Sequence, residues 1–410
     1  MKRIAIAILF FSLLFICGCN RFAADASRTT FQPIQISAPD VDAAEPVTAS
    51  APDGFYVAWV NHNANNEADV MLARFNDEGA AISRPVTVNP QPGVATAWRG
   101  DPPSIAVADR SVYVLWTARV ESNGKQGTDL YFSASQDEGK TFGAAVKVND
   151  DSVPSTHGMH SLAISNDGRI YAAWLDERNV PVPKPSTHAG GHHMESNREL
   201  FVAYSVDGGK TFSANRKVAE NVCPCCKTAL AVSQDGTVYA SWRQVLPGNF
   251  RHIAVAGSSD GGANFSSPVI VSDDRWVLYG CPVSGPSLSV DASGGLKVLW
   301  YAAGEGEAPG LYTSESRDKG RTFSPRSLVM QESIKGTPAL AAGKDRAIAI
   351  WQGSGAQQPE TKIRELGGAG STASVAANAE LPSGALCKDK LFVAYIATAG
   401  GKRSVWLTKV

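Results

Sequence analysis

A short segment of mostly apolar and aromatic residues that ends in an aromatic side chain occurs seven times along this chain of 410 residues. The final residues of its copies are Trp59, Trp116, Trp174, Trp242, Trp300, Trp351 and Tyr395. Successive copies lie between 44 and 68 residues apart, and turn-forming Gly, Asp and Asn residues bound them. Alternation with β-branched and aromatic residues is typical of short strands, and a regular recurrence indicates one structural unit repeated along the chain.

Each repeat holds four short apolar segments, and no long stretch has helical periodicity. The pattern predicts an all-β fold, a seven-bladed β-propeller whose blades each contain strands a to d, because radial packing leaves only short sheet edges exposed. The chain stops one strand short after Tyr395, while residues 30–36 resemble the outer-strand phrase at 141–148. We therefore expect the N-terminal strand to complete the C-terminal blade. A six-bladed ring with a peripheral hairpin is the alternative.

The turn between strands c and d has a recurring sequence in which Ser is followed by Asp, Gly and an aromatic residue at fixed offsets. Clear copies occupy residues 135–142, 205–212, 258–265 and 316–323, with a weaker one at 76–79. The Asp can accept hydrogen bonds from backbone N–H groups of its own turn, and the Gly can take a positive φ. These turns resemble the Asp box, or BNR repeat, of the sialidase superfamily. The resemblance implies a propeller, in which the boxes are structural.

The first residues have the pattern of an export signal. Lys2 and Arg3 precede an apolar run at residues 4–16, which is too short to span a bilayer as a helix. The run ends in Ile16-Cys17-Gly18-Cys19, which resembles a bacterial lipobox. We expect a lipoprotein signal peptide at 1–18, lipidation of Cys19, a tether at 19–28 and a single propeller domain at 29–410. Ordinary signal cleavage is the alternative.

The expected location is the bacterial cell envelope. Asn20 follows Cys19, instead of the Asp that often retains lipoproteins at the inner membrane, so we expect an outer-membrane lipoprotein that faces the periplasm or the exterior. The 38 basic and 39 acidic residues give a net charge of −1. This balance argues against a nucleic-acid partner, which normally requires a basic excess. The expected partners are the membrane, through the lipid anchor, and a small-molecule, glycan or metal ligand.

The unusual residues fall in two classes of connection that a propeller places at one end. In each blade the b–c loop and the connection from strand d to the next strand a emerge together, whereas the Asp boxes mark the opposite end. Side chains suited to binding gather in these connections, at 98–102, 157–160, 176–195, 223–226 and 276–282. A scaffold does not require such residues on one rim, whereas a binding site does.

The ligand types on this rim suggest a metal. Five of the seven histidines lie in two loops of the third blade, with Met159 and Met194 beside them. Imidazole, thiolate and thioether groups together suit copper or zinc, and methionine favours copper. The candidate ligands are His157, His160, His188, His192, His193, Cys223, Cys225 and Cys226.

The same residues have structural interpretations. A Gly/His loop can simply be solvated, and cysteines in an oxidising compartment usually form disulfides. Cys281, in the adjacent d–a connection, can pair with Cys223, Cys225 or Cys226. Cys387 lies near the first strand of the last blade and is expected to be a buried apolar residue.

The Asp-box resemblance also implies a glycosidase alternative. Sialidases hold the substrate carboxylate with an arginine triad, since guanidinium forks match carboxylate geometry, and they use an acidic proton donor and a Tyr nucleophile. On the predicted rim, the candidate catalytic residues with the required guanidinium, carboxyl or phenol groups are Arg99, Asp101, Arg178, Arg243 and Tyr279. The family's early Arg-Ile-Pro phrase is absent, and no motif fixes a Tyr–Glu pair.

Residues 100–330 resemble a narrower group of exported bacterial Asp-box proteins that share three segments. In this chain the segments are His157-Gly158-Met159-His160, Cys223-Pro224-Cys225-Cys226 and Gly280-Cys281-Pro282. The primary hypothesis is an extracytoplasmic propeller that binds a ligand or a transition metal at the rim of blades two to five. The alternatives are an exo-glycosidase that hydrolyses terminal sialic acids and a protein-interaction platform in the envelope.

Overall fold

Antiparallel strand pairing organises the computed structural model, which describes residues 31–63, 67–96, 101–181, 196–344, 346–355, 358–368 and 370–410. Regular structure in these ranges consists of strands, as predicted, and residues 32–410 form one compact unit. No helix in the described ranges has the length and apolar character needed to cross a membrane.

The first four blades follow one another along the chain. The short strand β1 (Ile34–Gln35) precedes them. Blade one contains β2 (Asp42–Ala51), β3 (Gly54–His62), β4 (Ala68–Asn76) and β5 (Val86–Thr87). The bridging strand is β6 (Ala95–Thr96), and blade two contains β7 (Ser104–Ala108), β8 (Ser111–Ser122), β9 (Lys125–Ser135) and β10 (Val146–Lys147). Blade three contains β11 (His157–Ile164), β12 (Ile170–Asp176), β13 (Arg198–Ser205) and β14 (Arg216–Val222). Blade four contains β15 (Ala229–Val232), β16 (Val238–Leu246), β17 (Phe250–Ser258) and β18 (Val269–Ile270).

The remaining blades repeat the same order. Blade five contains β19 (Ser287–Val290), β20 (Leu296–Ala302), β21 (Gly310–Ser316) and β22 (Ser327–Gln331). Blade six contains β23 (Lys335–Ala342), β24 (Ala347–Ser354), β25 (Pro359–Glu365) and β26 (Ala373–Ala377). The last blade contains β27 (Glu380–Cys387), β28 (Lys390–Ala399) and β29 (Lys402–Lys409), and β1 is its outer strand.

The first strands of the blades form a closed ring. Each of β2, β7, β11, β15, β19, β23 and β27 contacts the next, and β27 contacts β2. Outside this ring, β1 pairs with β29, so that Ile34 faces Leu407 and Gln35 faces Trp406. The predicted closure by the N-terminal strand is therefore confirmed. The contacts of β27 with both β23 and β2 include the last unit in the ring of first strands.

The repeated aromatic residues fill the space between blades. Among them Trp59 is 1% exposed, and Trp174, Trp242, Trp300 and Trp351 are fully buried. In blades one, three and four the indole N–H donates to the side chain two residues later, from Trp59 to Asn61, Trp174 to Asp176 and Trp242 to Gln244. Residues two apart in a strand point to the same face, so strand b supplies both the apolar ring and the acceptor that a buried indole requires.

The Ser–Asp–Gly turns between strands c and d contain the predicted hydrogen bonds from backbone N–H groups to the Asp carboxylate. In blade two, Ser135 Oγ donates to Asp137 Oδ1 and accepts from the N–H of Gly139, while Asp137 accepts from the N–H and the hydroxyl of Thr141. Blades three, four and five repeat the pattern. The aromatic residue that follows packs against the preceding blade, as where Phe212 meets Phe132 edge-on at 5.2 Å between ring centroids.

One glycine of the third-blade box allows a close approach between blades. Gly209 has φ 87°, and a Cβ there would lie 2.0 Å from Cε1 of Phe132. We expect Gly209→Ala to lower the free energy of unfolding by about 2–4 kcal/mol, because backbone strain adds to overpacking. The neighbouring Gly208 has φ 75° but its Cβ would meet nothing within 4 Å. Gly208→Ala should therefore cost only about 1–2 kcal/mol. Equal losses in urea titrations of the two variants would contradict this account.

Candidate functional site

The predicted rim residues lie where strand a of a blade begins and strand b ends. His157, the first residue of β11, pairs with Asp176, the last residue of β12. In the next blade the N–H of Cys223, just beyond β14, donates to the carbonyl of Arg243 in β16. Five predicted residues lie outside the described residues: Cys19, Arg99, His188, His192 and His193. The other predicted site residues, except Tyr279, belong to three clusters or lie directly beside them.

The first cluster, here called the imidazolium cluster, consists of His157, Asp151 and Asp176. The Nε2 of His157 lies 3.2 Å from Asp151 Oδ1 and 3.3 Å from Asp176 Oδ2. Its Nδ1 contacts the carbonyl oxygen of Thr128, which can only accept a hydrogen bond. Since both ring nitrogens face acceptors, the ring carries a proton on each. The His157 side chain is fully buried, so its charge is compensated by these two carboxylates.

The pKa values follow from this arrangement. Burial by itself would lower the pKa of His157, but the hydrogen bonds with Asp151 and Asp176 outweigh burial and raise the pKa to about 9. Burial would raise the pKa of both carboxyls, yet their bonds to His157 hold those pKa values below the ordinary range. One ligand atom each of Asp129, Asp151 and His157 lies within 4.8 Å of the others, so a metal ion at this place would compete with the proton on His157 Nε2.

Arg178 completes the charge balance of the imidazolium cluster. Its Nε donates to Asp176 Oδ2 at 3.0 Å, and its Nη2 donates to Asn215 Oδ1 at 2.8 Å. The guanidinium carbon also lies 4.5 Å from the ring centroid of Phe201. These contacts occupy the planar fork that a substrate carboxylate would need.

The second cluster, here called the axial cluster, consists of Asp101, His160 and Lys227. Asp101 Oδ1 lies 3.3 Å from Lys227 Nζ and 3.7 Å from His160 Nε2, and its Oδ2 accepts from the N–H of Met159. Burial lowers the pKa of His160 to about 4, so its ring is neutral at neutral pH, and Nδ1 lies 2.9 Å from Ser104 Oγ. Lys227 also lines a cavity of about 230 Å³ bordered by the first strands of several blades.

The third cluster, here called the thiol cluster, consists of Cys223, Cys225, Cys226 and Cys281. Cys225 forms a disulfide with Cys281, with their Cα atoms 6.1 Å apart. The sequence analysis predicted Cys225 as a metal ligand, but in this disulfide its sulfur is not a free thiolate. Of the pairings left open by the sequence, this is the one in the structure. Cys223 and Cys226 are free and buried, and their Sγ atoms lie 2.9 Å apart. Cys223 Sγ is also 3.9 Å from Cys225 Sγ.

Two buried arginines border the thiol cluster. Arg243 is fully buried, and it donates from Nε to the carbonyl of Ser284 and from Nη2 to the carbonyl of Tyr301. Its guanidinium lies over the ring of Trp276 at 4.8 Å. Arg251 donates from its guanidinium to the carbonyl of Leu278. Both arginines therefore hold the connection between β18 and β19 against the cysteine segment.

The electrostatics of the thiol cluster favour one thiolate. The hydrogen bond from Cys226 outweighs burial and, with the charges of Arg243 and Arg251, lowers the pKa of Cys223 to about 7. Burial raises the pKa of Cys226 well above its ordinary value. Within the described residues, three buried polar atoms here have no hydrogen-bond partner: Arg243 Nη1, Arg251 Nη1 and Ser284 Oγ. Buried donors without partners are costly, so this region retains capacity to bind an electron-rich group.

The residues predicted for glycosidase chemistry do not share one pocket in the described parts of the chain. Arg178 belongs to the imidazolium cluster and Asp101 to the axial cluster, whereas Arg243 is fully buried beside the thiol cluster. Tyr279 is 72% exposed at the tip of its connection. Cys387 packs in the apolar core with Phe55 and other residues, as expected.

Sequence reasoning missed two members of these clusters. Lys227 directly follows the cysteine segment. Its position in the connection between strand d of blade three and strand a of blade four was the signal that could have identified it. Asp151 lies two residues after Asn149, whose side-chain oxygen accepts a hydrogen bond from the N–H of Leu130. Asn89 accepts from Val70 in the same way in blade one, so a repeated asparagine marks this position.

The pKa of His157 generates a testable pH dependence. Because the pKa in the folded protein exceeds the ordinary value of 6.5, the group stabilises the fold fully below about pH 6.5, and this stabilisation is lost as the pH rises through about 9. We expect the stability difference between the wild type and His157→Gln to shrink by about 3 kcal/mol over that range, as measured by urea unfolding. Other titrating groups are common to both proteins and cancel. A difference that stays constant from pH 6 to pH 9.5 would disprove the assignment.

Comparison with known proteins adds the fold and no more. No protein-family model and no curated protein sequence matches the chain. A polysaccharide lyase that acts as an ulvan lyase has a TM-score of 0.58 at 11% identity, over 92% of this chain and 96% of that one. A Hadza microbial sialidase has a TM-score of 0.51 at 15% identity, over 87% and 76% of the two chains. A mutant Trypanosoma rangeli sialidase with trans-sialidase activity has a TM-score of 0.51 at 11% identity, over 93% and 57%. The chain has a sialidase-like β-propeller fold.

Proposed function

We propose that this protein is an extracytoplasmic binding protein of the bacterial envelope whose thiol cluster binds a soft transition-metal ion, Cu(I). The observation that carries the proposal is the pair of free buried thiols, Cys223 and Cys226, with Sγ atoms 2.9 Å apart in a Cys-x-x-Cys spacing. Thiolate and thioether ligands select soft ions such as Cu(I). Met159 packs in the same buried cluster as the cysteines and adds a thioether to their surroundings.

The geometry requires a small local movement. With metal–sulfur distances of about 2.3 Å, as in zinc thiolates, two sulfurs on one ion lie about 4 Å apart. Cys223 and Cys226 must therefore separate by about 1 Å from their present 2.9 Å. Rotation about the Cα–Cβ bond of one cysteine can supply this change without moving the backbone.

Charge favours Cu(I) over Zn(II). A Cu(I) ion bound by two thiolates carries a net charge of −1, and the neighbouring Arg243 and Arg251 supply positive charge with Nη1 atoms that lack partners among the described residues. Buried charge is tolerated when it is paired in this way. Structural Zn(II) sites usually have four protein ligands, whereas the disulfide leaves two of the four cysteines free.

The glycosidase alternative ranks below metal binding. It is supported by the fold, which sialidases share with proteins of other functions. The predicted residues Asp101, Arg178 and Arg243 have separate partners, and full burial of Arg243 gives a sugar carboxylate no access to its guanidinium. The protein-interaction platform stays a prediction from the sequence.

The decisive experiment is Cu(I) titration of the full chain, purified without a His tag, against a colorimetric Cu(I) chelator under anaerobic conditions. We expect one equivalent of Cu(I) per chain, and loss of that equivalent in the double variant Cys223→Ser/Cys226→Ser. The matched control is Cys387→Ser, which removes another buried free thiol, at the end of β27 in the last blade. This variant should leave the stoichiometry of Cu(I) binding unchanged. No stoichiometric Cu(I) binding by the wild type, or equal binding by the double variant, would refute the proposal; preferential Zn(II) binding would refute its choice of ion.

The proposed location depends on a lipid anchor at Cys19. We expect the wild type to partition into the membrane fraction of a Gram-negative host and Cys19→Ser to lose lipidation, because a thioether-linked lipid requires this sulfur. Intact-mass measurement of the exported protein gives the readout. Identical masses and partitioning for both forms would favour ordinary signal cleavage.

A further inference from the structure

We infer that the thiol cluster exchanges its disulfide between two pairings, Cys225–Cys281 and Cys223–Cys226. The inference rests on the position of one sulfur atom. Cys223 Sγ lies 2.9 Å from Cys226 Sγ and 3.9 Å from Cys225 Sγ, which is itself bonded to Cys281. A free thiol is thus in contact with one sulfur of the disulfide and with a second free thiol. These are the neighbours that thiol–disulfide exchange requires.

The exchange proceeds in two balanced steps. In the first, the Cys223 thiolate attacks Cys225 Sγ, the Cys225–Cys281 bond breaks, and Cys281 leaves as a thiolate that takes up a proton. In the second, Cys226 loses its proton and attacks Cys223 Sγ, so that Cys225 leaves as a thiolate and is protonated. One disulfide and two thiols are present before and after, and no oxidant or reductant is consumed.

The fold can absorb the change at Cys281. The connection between β18 and β19 keeps attachments on both sides of Cys281, because the guanidinium of Arg251 donates to the carbonyl of Leu278 and Arg243 Nε donates to the carbonyl of Ser284 at 2.9 Å. Exchange therefore releases the short stretch between those attachments, while blades four and five stay joined. Cys281 is exposed whereas Cys223, Cys225 and Cys226 are buried, so exchange moves a reactive thiol to the surface.

A consequence for the metal follows, and this part rests on the proposed function. With Cys225 bonded to Cys281, the thiols of Cys223 and Cys226 are free to bind Cu(I). With Cys223 bonded to Cys226, both ligands are consumed. The pairing thus acts as a switch between a binding and a non-binding state, and bound Cu(I) holds the protein in the first of them.

The exchange itself is tested on metal-free protein, prepared with a chelator and without reductant. The protein is incubated with a maleimide, digested at low pH, and mapped by mass spectrometry without reduction. We expect Cys281 to be labelled progressively over minutes to hours and the Cys223–Cys226 disulfide to appear in step. A wild-type map that holds only Cys225–Cys281, with Cys281 unlabelled, overturns the inference without any variant.

Two variants separate the steps. Cys223→Ser lacks the attacking sulfur, and we expect labelling of Cys281 to fall on the order of tenfold or more. Cys226→Ser retains the first step and lacks the second, so Cys281 should still be labelled while a Cys223–Cys225 disulfide accumulates. Cys387→Ser should match the wild type. Labelling of Cys281 in Cys223→Ser at the wild-type rate would overturn the mechanism, provided that the urea midpoint shows the variant to be folded.

Failure of this inference is distinguishable from failure of the proposed function. Exchange without Cu(I) binding would leave a disulfide switch on a propeller of other function. Cu(I) binding without exchange would leave a metal site in a rigid disulfide-bonded frame. If both hold, one equivalent of Cu(I) should suppress labelling of Cys281 in the wild type, since the ion occupies Cys223.

Discussion

Ring closure is the constraint on which the rest of this structure depends. Ile34 and Gln35 pair with Leu407 and Trp406, so the two ends of the chain share one blade. The pairing covers the edge of β29, which would otherwise present unpaired backbone groups to other chains. It also sets the position of the last blade against the first, through contact between β27 and β2. Because every blade of the ring repeats the same strand order, strand a begins and strand b ends at a common end, where His157 pairs with Asp176.

Burial divides what the sequence suggests to be one rim into separate clusters. In two of the clusters the buried cation is paired with carboxylates. His157 is paired with Asp151 and Asp176, and Lys227 is paired with Asp101. This pairing is expected, since an unpaired buried charge costs several kcal/mol. The ion pair of Asp101 with Lys227 joins two connections that belong to different blades. The thiol cluster differs, because its arginines and Ser284 keep polar atoms that are unpartnered within the described residues.

The thiol cluster combines two kinds of cysteine chemistry that the proposed envelope location would make competitors. An oxidising envelope favours disulfides, whereas a soft metal requires free thiols. Four cysteines on two connections satisfy both conditions, because one pair forms the disulfide and the other remains available. The proximity of Cys223 Sγ to Cys225 Sγ and to Cys226 Sγ is the basis of the proposed exchange between the two pairings. The positive charges of Arg243 and Arg251 help to lower the pKa of Cys223.

Features that a recurring local pattern encodes could be predicted from the sequence. Three features follow from such patterns: the buried aromatic residue of strand b, the hydrogen bond that Asp137 accepts within its own turn, and the outer strand supplied by residues 34–35. The choice of Cys225 as the partner of Cys281, 56 residues away, did not follow. Nor did the pairing of Lys227 with Asp101. Such contacts join different blades, and they depend on the spacing and tilt of neighbouring sheets, which arise from packing of whole blades and are encoded in no single segment.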